Sequence, residues 1–168
     1  MDEDTPQILV PIDFSSDSQP ALEYAVGLAR RQFSEIVLIH VVESLPHGVY
    51  QWCDPSDLHD QLAKNARRHL ECFEKRALDL YPHCRSEVHF GAPAQAIATR
   101  ASTLKAKMIV VSVRRRTGIF DRLLEGLPEK LLRLAPCPVL AVQSAASDRR
   151  TTLASSHPQD TLNCLSLF

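Results

Sequence analysis

The sequence predicts an α/β fold, an open five-stranded parallel sheet with helices on both faces. Two observations carry this expectation. Short apolar runs rich in β-branched residues alternate along the chain with longer stretches whose apolar residues recur at helical spacing. The inner runs are nearly unbroken, as strands covered on both faces should be. Right-handed crossovers then turn the order β-α-β-α-β-α-β-α-β into one parallel sheet.

The first run is Gln7 to Ile12, ending at Asp13. Pro11 makes it irregular, because proline cannot donate a ladder hydrogen bond. Phe14 to Ser18 supplies turn and N-cap residues, and Pro20 suits a first helical turn. Ala21, Leu22, Ala25, Val26 and Ala29 follow at helical spacing. The second strand is Ile36 to Val42, and Glu43 to Pro55 reads as a loop. A long helix follows from Ser56 to about Leu80, with a stripe through Leu58, Leu62, Ala66, Leu70, Phe73 and Ala77. Ser86 to Phe90 alternates, as a more exposed strand does, and Gly91 and Pro93 end it. Ala94 to Lys105 is a short helix. Met108 to Val111 is the fourth strand, and Ser112 to Leu124 reads as a basic loop. A helix opens after Gly126 with Pro128 in its first turn, and Pro136-Cys137-Pro138 stops it. Val139 to Val142 is the last strand.

At 168 residues the chain is expected to hold one domain over 6–143, a disordered start over 1–5 and a mostly disordered tail over 144–168. The net charge of -1 argues against a general nucleic-acid or membrane-surface binder. No apolar run approaches the roughly 18 residues of a membrane span. The acidic start Met1-Asp2-Glu3-Asp4 lacks a signal-peptide pattern, so a cytoplasmic protein is expected. The five cysteines contain no C-x-x-C pair, which argues against a disulfide framework or a zinc site. His47, Cys53, Asp54, Asp57 and His59 fit no zinc spacing, and no metal is expected. Only 5 glycines are present, and neither G-x-x-x-x-G-K-[ST] nor G-x-G-x-x-G occurs, which removes the two familiar phosphate loops.

In an open parallel sheet the ligand site lies beyond the carboxyl ends of the strands, where strand order reverses. That places Asp13, Val41 and the segment 112–124 together. Ser15 and Ser16 beside Asp13 could suggest a nucleophile. No G-x-S-x-G elbow and no assignable base accompany them, so a capping role is expected. His40, inside an apolar run, reads as a core or strand-end residue. Cys137, between two prolines, reads as buried rather than redox-active.

Four blocks carry a resemblance: Ile8-Leu9-Val10-Pro11-Ile12-Asp13; His40-Val41-Val42-Glu43; Gly91-Ala92-Pro93-Ala94 with Ile97; and Arg116-Thr117-Gly118 through Ala135-Pro136-Cys137-Pro138-Val139-Leu140-Ala141-Val142. In this order and spacing they resemble the universal stress protein family over about residues 6 to 143. The resemblance implies strand order 3-2-1-4-5, of the adenine nucleotide alpha hydrolase-like kind. It also implies a homodimer formed by pairing the last strands, here through Val139, Leu140, Ala141 and Val142. A short apolar edge strand offers unpaired backbone groups to a second copy, whereas flanking prolines could instead keep it apart.

One part of the family binds ATP through G-x-x-G, nine residues, then G-[S/T]. Aligned on Arg116-Thr117-Gly118, this chain has Ser112, Arg115, Glu125 and Gly126 at the four motif positions, and all four depart. Phe14 stands where binders usually carry glycine, and Lys107 where an aspartate usually precedes the fourth strand. A glycine in a phosphate cradle supplies a positive φ or the absence of a Cβ, which Arg115 cannot. Glu125 would bring a carboxylate towards phosphate. Against this, Val113 to Arg133 holds six basic and three acidic residues, a local charge of +3, and guanidinium groups bind phosphate well. The run is either a solvated or internally paired loop, an anion site, or a patch for a partner protein.

The sequence therefore points to a non-catalytic, dimeric regulatory or interaction module of the stress response. No resident cofactor, no nucleic-acid partner and no membrane partner are expected, and ATP is not bound in the family's usual way. The alternative is an ATP or nucleotide switch, with slow hydrolysis, that would use Asp13, Val41, Ser112, Arg114, Arg115, Arg116, Gly118 and Gly126.

Overall fold

A computed structural model describes residues 5–43, 55–113 and 126–143. The elements are β1 (Gln7–Pro11), α1 (Ser18–Gln32), β2 (Glu35–Val42), α2 (Pro55–Leu80), β3 (Cys84–Phe90), α3 (Pro93–Thr103), β4 (Met108–Val113), α4 (Leu127–Leu134) and β5 (Val139–Gln143). All strands are parallel, in the order β3-β2-β1-β4-β5. The expected fold class and strand order are those observed.

Strand periodicity divides the core. On one face Ile8, Val10, Ile36, Leu38 and Val110 meet α1 and α2 through Ala21, Leu22, Ala25, Leu70 and Ala77. On the other, Leu9, Val37, Ile39, Ile109 and Val111 meet α3 and α4 through Ile97, Ala101 and Leu131. Alternate residues of one strand thus serve two cores, which is why the inner runs are apolar throughout.

Pro11 fits this sheet for a simple reason. Residues 8, 10 and 12 turn their backbone groups towards β2, as the Ile12 N–H shows by donating to the Ile39 carbonyl at 2.9 Å. Residues 7, 9 and 11 turn towards β4, where the ladder runs only through Ile8 and Leu9. The missing N–H of Pro11 falls past the end of that ladder and removes no bond.

Several boundaries differ from the sequence reading. β4 runs on to Val113, so Ser112 belongs to the strand rather than to a loop, because Ser112 and Val113 pair with Val142 and Gln143 of β5. β3 begins two residues earlier, at Cys84, where pairing with Ile36 starts. α3 ends at Thr103, and Lys105 follows it with a positive φ of 50°. Residues 1–4 of the expected start, residues 114–124 of the expected basic loop and the expected tail lie outside the described residues.

The β3 edge is guarded by charge. Arg100 of α3 donates to both carboxylate oxygens of Glu87, at 2.6 Å each. Arg85 also donates to Glu87, His89 Nε2 lies 3.0 Å from it, and Arg85 Nε reaches Glu35 at 3.1 Å. Burial raises the Glu87 pKa, but the bonds from Arg100, His89 and Arg85 outweigh it and pull it down to about 2. Inward charges of this kind disfavour pairing of an edge strand with another chain.

Candidate functional site

β1, β2 and β4 end together at the point where strand order reverses, and a cleft of about 680 Å³ opens there. Its walls are apolar: Ile12, Ile39, Val41, Ile97, Val111 and Leu127 contribute. Its rim is acidic: Asp13, Asp17, Glu43 and Glu129 line it, and among the described residues no lysine or arginine does.

Of the expected site residues, Asp13, Val41, Ser112 and Gly126 all line this one cleft. Gly126 is the N-cap of α4, with φ of -79°, a conformation open to any residue. Arg114, Arg115, Arg116 and Gly118 lie outside the described residues, as does Glu125.

Asp13 is held by the turn that follows it. Its Oδ1 accepts from the Ser15 N–H at 3.0 Å, the Ser15 hydroxyl at 2.6 Å and the Ser18 hydroxyl at 2.5 Å. The Ser18 Oγ in turn accepts from the Asp13 N–H at 3.2 Å, and Ser18 is fully buried. An aspartate bonded to the N–H two residues on is the Asx arrangement that closes a turn. Burial raises the Asp13 pKa, but these hydrogen bonds outweigh it and lower it below 3.8. The helix N-cap itself is Asp17, which makes no side-chain capping bond. Asp13 therefore organises the approach to α1 without being its cap.

Phe14 is the residue that periodicity could not explain. It has a φ of 62°, a left-handed conformation that costs a side chain roughly 1–2 kcal/mol. Its ring stacks on His40 with centroids 4.0 Å apart and meets His69 edge-on at 5.4 Å and Phe73 at 6.0 Å. His40 lies in β2 two residues before its end at Val42, half-buried, with Nδ1 2.8 Å from the Ile12 carbonyl. A carbonyl only accepts, so Nδ1 carries the hydrogen. Burial lowers the His40 pKa and His69 adds to that, outweighing the opposite pull of the Ile12 bond and Asp13. His40 lies within β2 near its end, and its contact with Phe14 is not foreseeable from either position alone. The D-x-S-x-x-S spacing of Asp13, Ser15 and Ser18 was the legible signal for the turn.

Val139 to Val142 form the outer edge of the sheet, half-buried except for exposed Ala141. Nearby α4 exposes Leu132 and Leu134 while burying Leu131. Cys137 is half-buried against the α3–α4 core, and burial raises its pKa. Among the described residues no group of His, Cys, Asp and Glu could hold a metal ion. No helix among them is long and apolar enough to cross a membrane.

The model of the universal stress protein family matches residues 5–143. The chain belongs to the universal stress protein family. A relative from Bacillus subtilis, universal stress protein YxiE, is 29% identical over 147 residues, spanning 82% of this chain and 98% of its own. Among solved structures, universal stress protein UspA from Lactobacillus plantarum superposes with a TM-score of 0.67 at 23% identity, covering 82% of this chain and 97% of its own. A universal stress protein in complex with cAMP superposes with a TM-score of 0.64 at 22% identity, covering 83% and 98%. At these identities the two structures speak for the fold alone.

Proposed function

We propose that this universal stress protein is a non-catalytic, dimeric regulatory module that does not bind ATP in the family's usual way. The observation that carries the reading is the β1 end of the cleft. There the Asp13 carboxylate accepts three hydrogen bonds from Ser15 and Ser18, and a phenylalanine occupies the left-handed position after it. The carboxylates of Asp13 and Glu43 in the cleft lining add to it, since a triphosphate brought beside them meets like charge. The departures at Ser112, Arg115, Glu125 and Gly126 point the same way. The β5 edge, with Leu132 and Leu134 exposed beside it, supports pairing with a second copy through Val139 to Val142.

A second reading keeps the cleft as a nucleotide switch, with or without slow hydrolysis. Its volume suits a small ligand, one structural neighbour is in complex with cAMP, and Arg114, Arg115 and Arg116 directly follow β4 in the chain. Calorimetric titration separates the two. The first reading expects no micromolar binding of ATP with Mg²⁺ to the wild type and a gain of binding in Arg115→Gly. Micromolar binding by the wild type, lost in Arg115→Gly, establishes the second. Sedimentation at several concentrations tests the dimer, and a single 18.8 kDa species at all of them refutes it.

A further inference from the structure

We propose that residues 162–168 dock in cis on the open edge of β5, antiparallel to it, and compete there with a second copy of the chain. The competition rests on the dimer reading above; the docking does not. The two edges of the sheet are built differently. β3 carries Arg85, Glu87 and His89, whereas β5, Val139-Leu140-Ala141-Val142-Gln143, carries no charge. An uncharged edge strand invites another strand beside it. The Ile109 N–H donates to the Pro138 carbonyl at 2.9 Å, so residues 138, 140 and 142 turn their backbone groups towards β4. Val139, Ala141 and Gln143 therefore turn their N–H and C=O groups outwards, in a row along the open edge. Ala141 is exposed, and α4 beside this strand leaves Leu132 and Leu134 exposed as well.

Residues 162–168 suit that edge. Leu162-Asn163-Cys164-Leu165-Ser166-Leu167-Phe168 holds no charge and no proline. Paired as a strand, it puts Leu165 and Leu167 on one face and Leu162, Cys164 and Phe168 on the other. Apolar residues on both faces suit a strand with cover on both sides. β5 has such cover: Leu140 and Val142 pack with the α1–α2 core, and Val139 with the α3–α4 core. A segment of this composition gains by leaving water. The 18 residues between, 144–161, reach up to about 60 Å when extended, and a strand the length of β5 is about 17 Å long. The chain can therefore turn back along β5. A tethered segment meets that edge at an effective concentration of about millimolar, whereas a second copy must arrive from solution. An edge filled in cis has no backbone groups left for a partner, so docking and dimer formation exclude each other.

Hydrogen exchange on the full chain tests the docking, at dilutions where sedimentation shows one 18.8 kDa species. The comparison is the triple variant Leu165→Ser/Leu167→Ser/Phe168→Ser, which leaves every described element untouched. In the wild type the Val139 and Ala141 amides should exchange about tenfold more slowly than in the variant. The Leu140 and Val142 amides, which face β4, should exchange alike in both and report that the sheet is intact. Dimerisation is then read by sedimentation over rising concentration. Both copies must undock before they pair, so about tenfold protection predicts a dimer about 100-fold tighter in the variant. Equal exchange of Val139 and Ala141 in wild type and variant overturns the docking. So does protection that appears only as concentration rises, which puts the segment on another copy. Protection with the same dimer constant in both chains overturns the competition. Protection in a chain that never pairs upholds the docking and refutes the dimer reading instead.

Discussion

Replacing Glu87 by glutamine isolates the electrostatic clasp between β3 and α3. The carboxylate accepts from Arg100 twice and from Arg85 and His89 once each, while its side chain is 16% exposed. A pKa brought from 4.5 to about 2 sets an upper bound of about 3 kcal/mol on what the charged form adds to stability. Arg85 and Arg100 keep 33% and 25% of their side chains in water, so screening reduces the expectation to about 1–2 kcal/mol. At pH 7 Glu87→Gln should therefore lower the urea midpoint by roughly 0.5–1 M. The pKa is depressed, so this stabilisation is full above 4.5 and is lost as pH falls towards about 2. Urea titrations of wild type and variant at pH 7, 5, 4 and 3 should show a gap that is constant down to about 4.5 and then closes. A gap of the same size at pH 3 as at pH 7 would refute the charge argument, and so would no gap at pH 7.

Two further outcomes follow from the same contacts. Ser18→Ala removes a buried hydroxyl that both donates to and accepts from Asp13. It should cost about 1–2 kcal/mol in chemical denaturation and move the Asp13 carboxyl back up towards 3.8, read by carboxyl NMR. Among the described cysteines, burial first, then Glu74 and Glu35, pushes the Cys84 thiol up to about 12, whereas Cys72 is exposed. Brief alkylation of the folded protein at pH 8, followed by peptide mapping, should label Cys72 and spare Cys84. Equal labelling would show that the β3–α2 interface opens readily.

Much of this protein was determined by the sequence alone. Apolar runs such as 36–42 had to be strands with both faces covered, and the spacing of Ala21, Leu22, Ala25 and Ala29 had to be a helix. Five strands joined by helices leave little choice but a parallel sheet, and its switch point gathers Asp13, Val41 and Ser112. Boundaries drifted where pairing, not periodicity, sets them: Ser112 reads as loop but is held in β4 by β5. What only the tertiary structure decided are contacts between residues far apart in the chain. Glu87 meets Arg100 across a strand and a helix, and Phe14, in the turn after β1, meets His40 of β2 and His69 of α2. Local patterns report which face of an element is apolar. They carry no record of which polar groups a crossover brings into register, nor of a backbone angle such as that of Phe14, which distant rings hold in place.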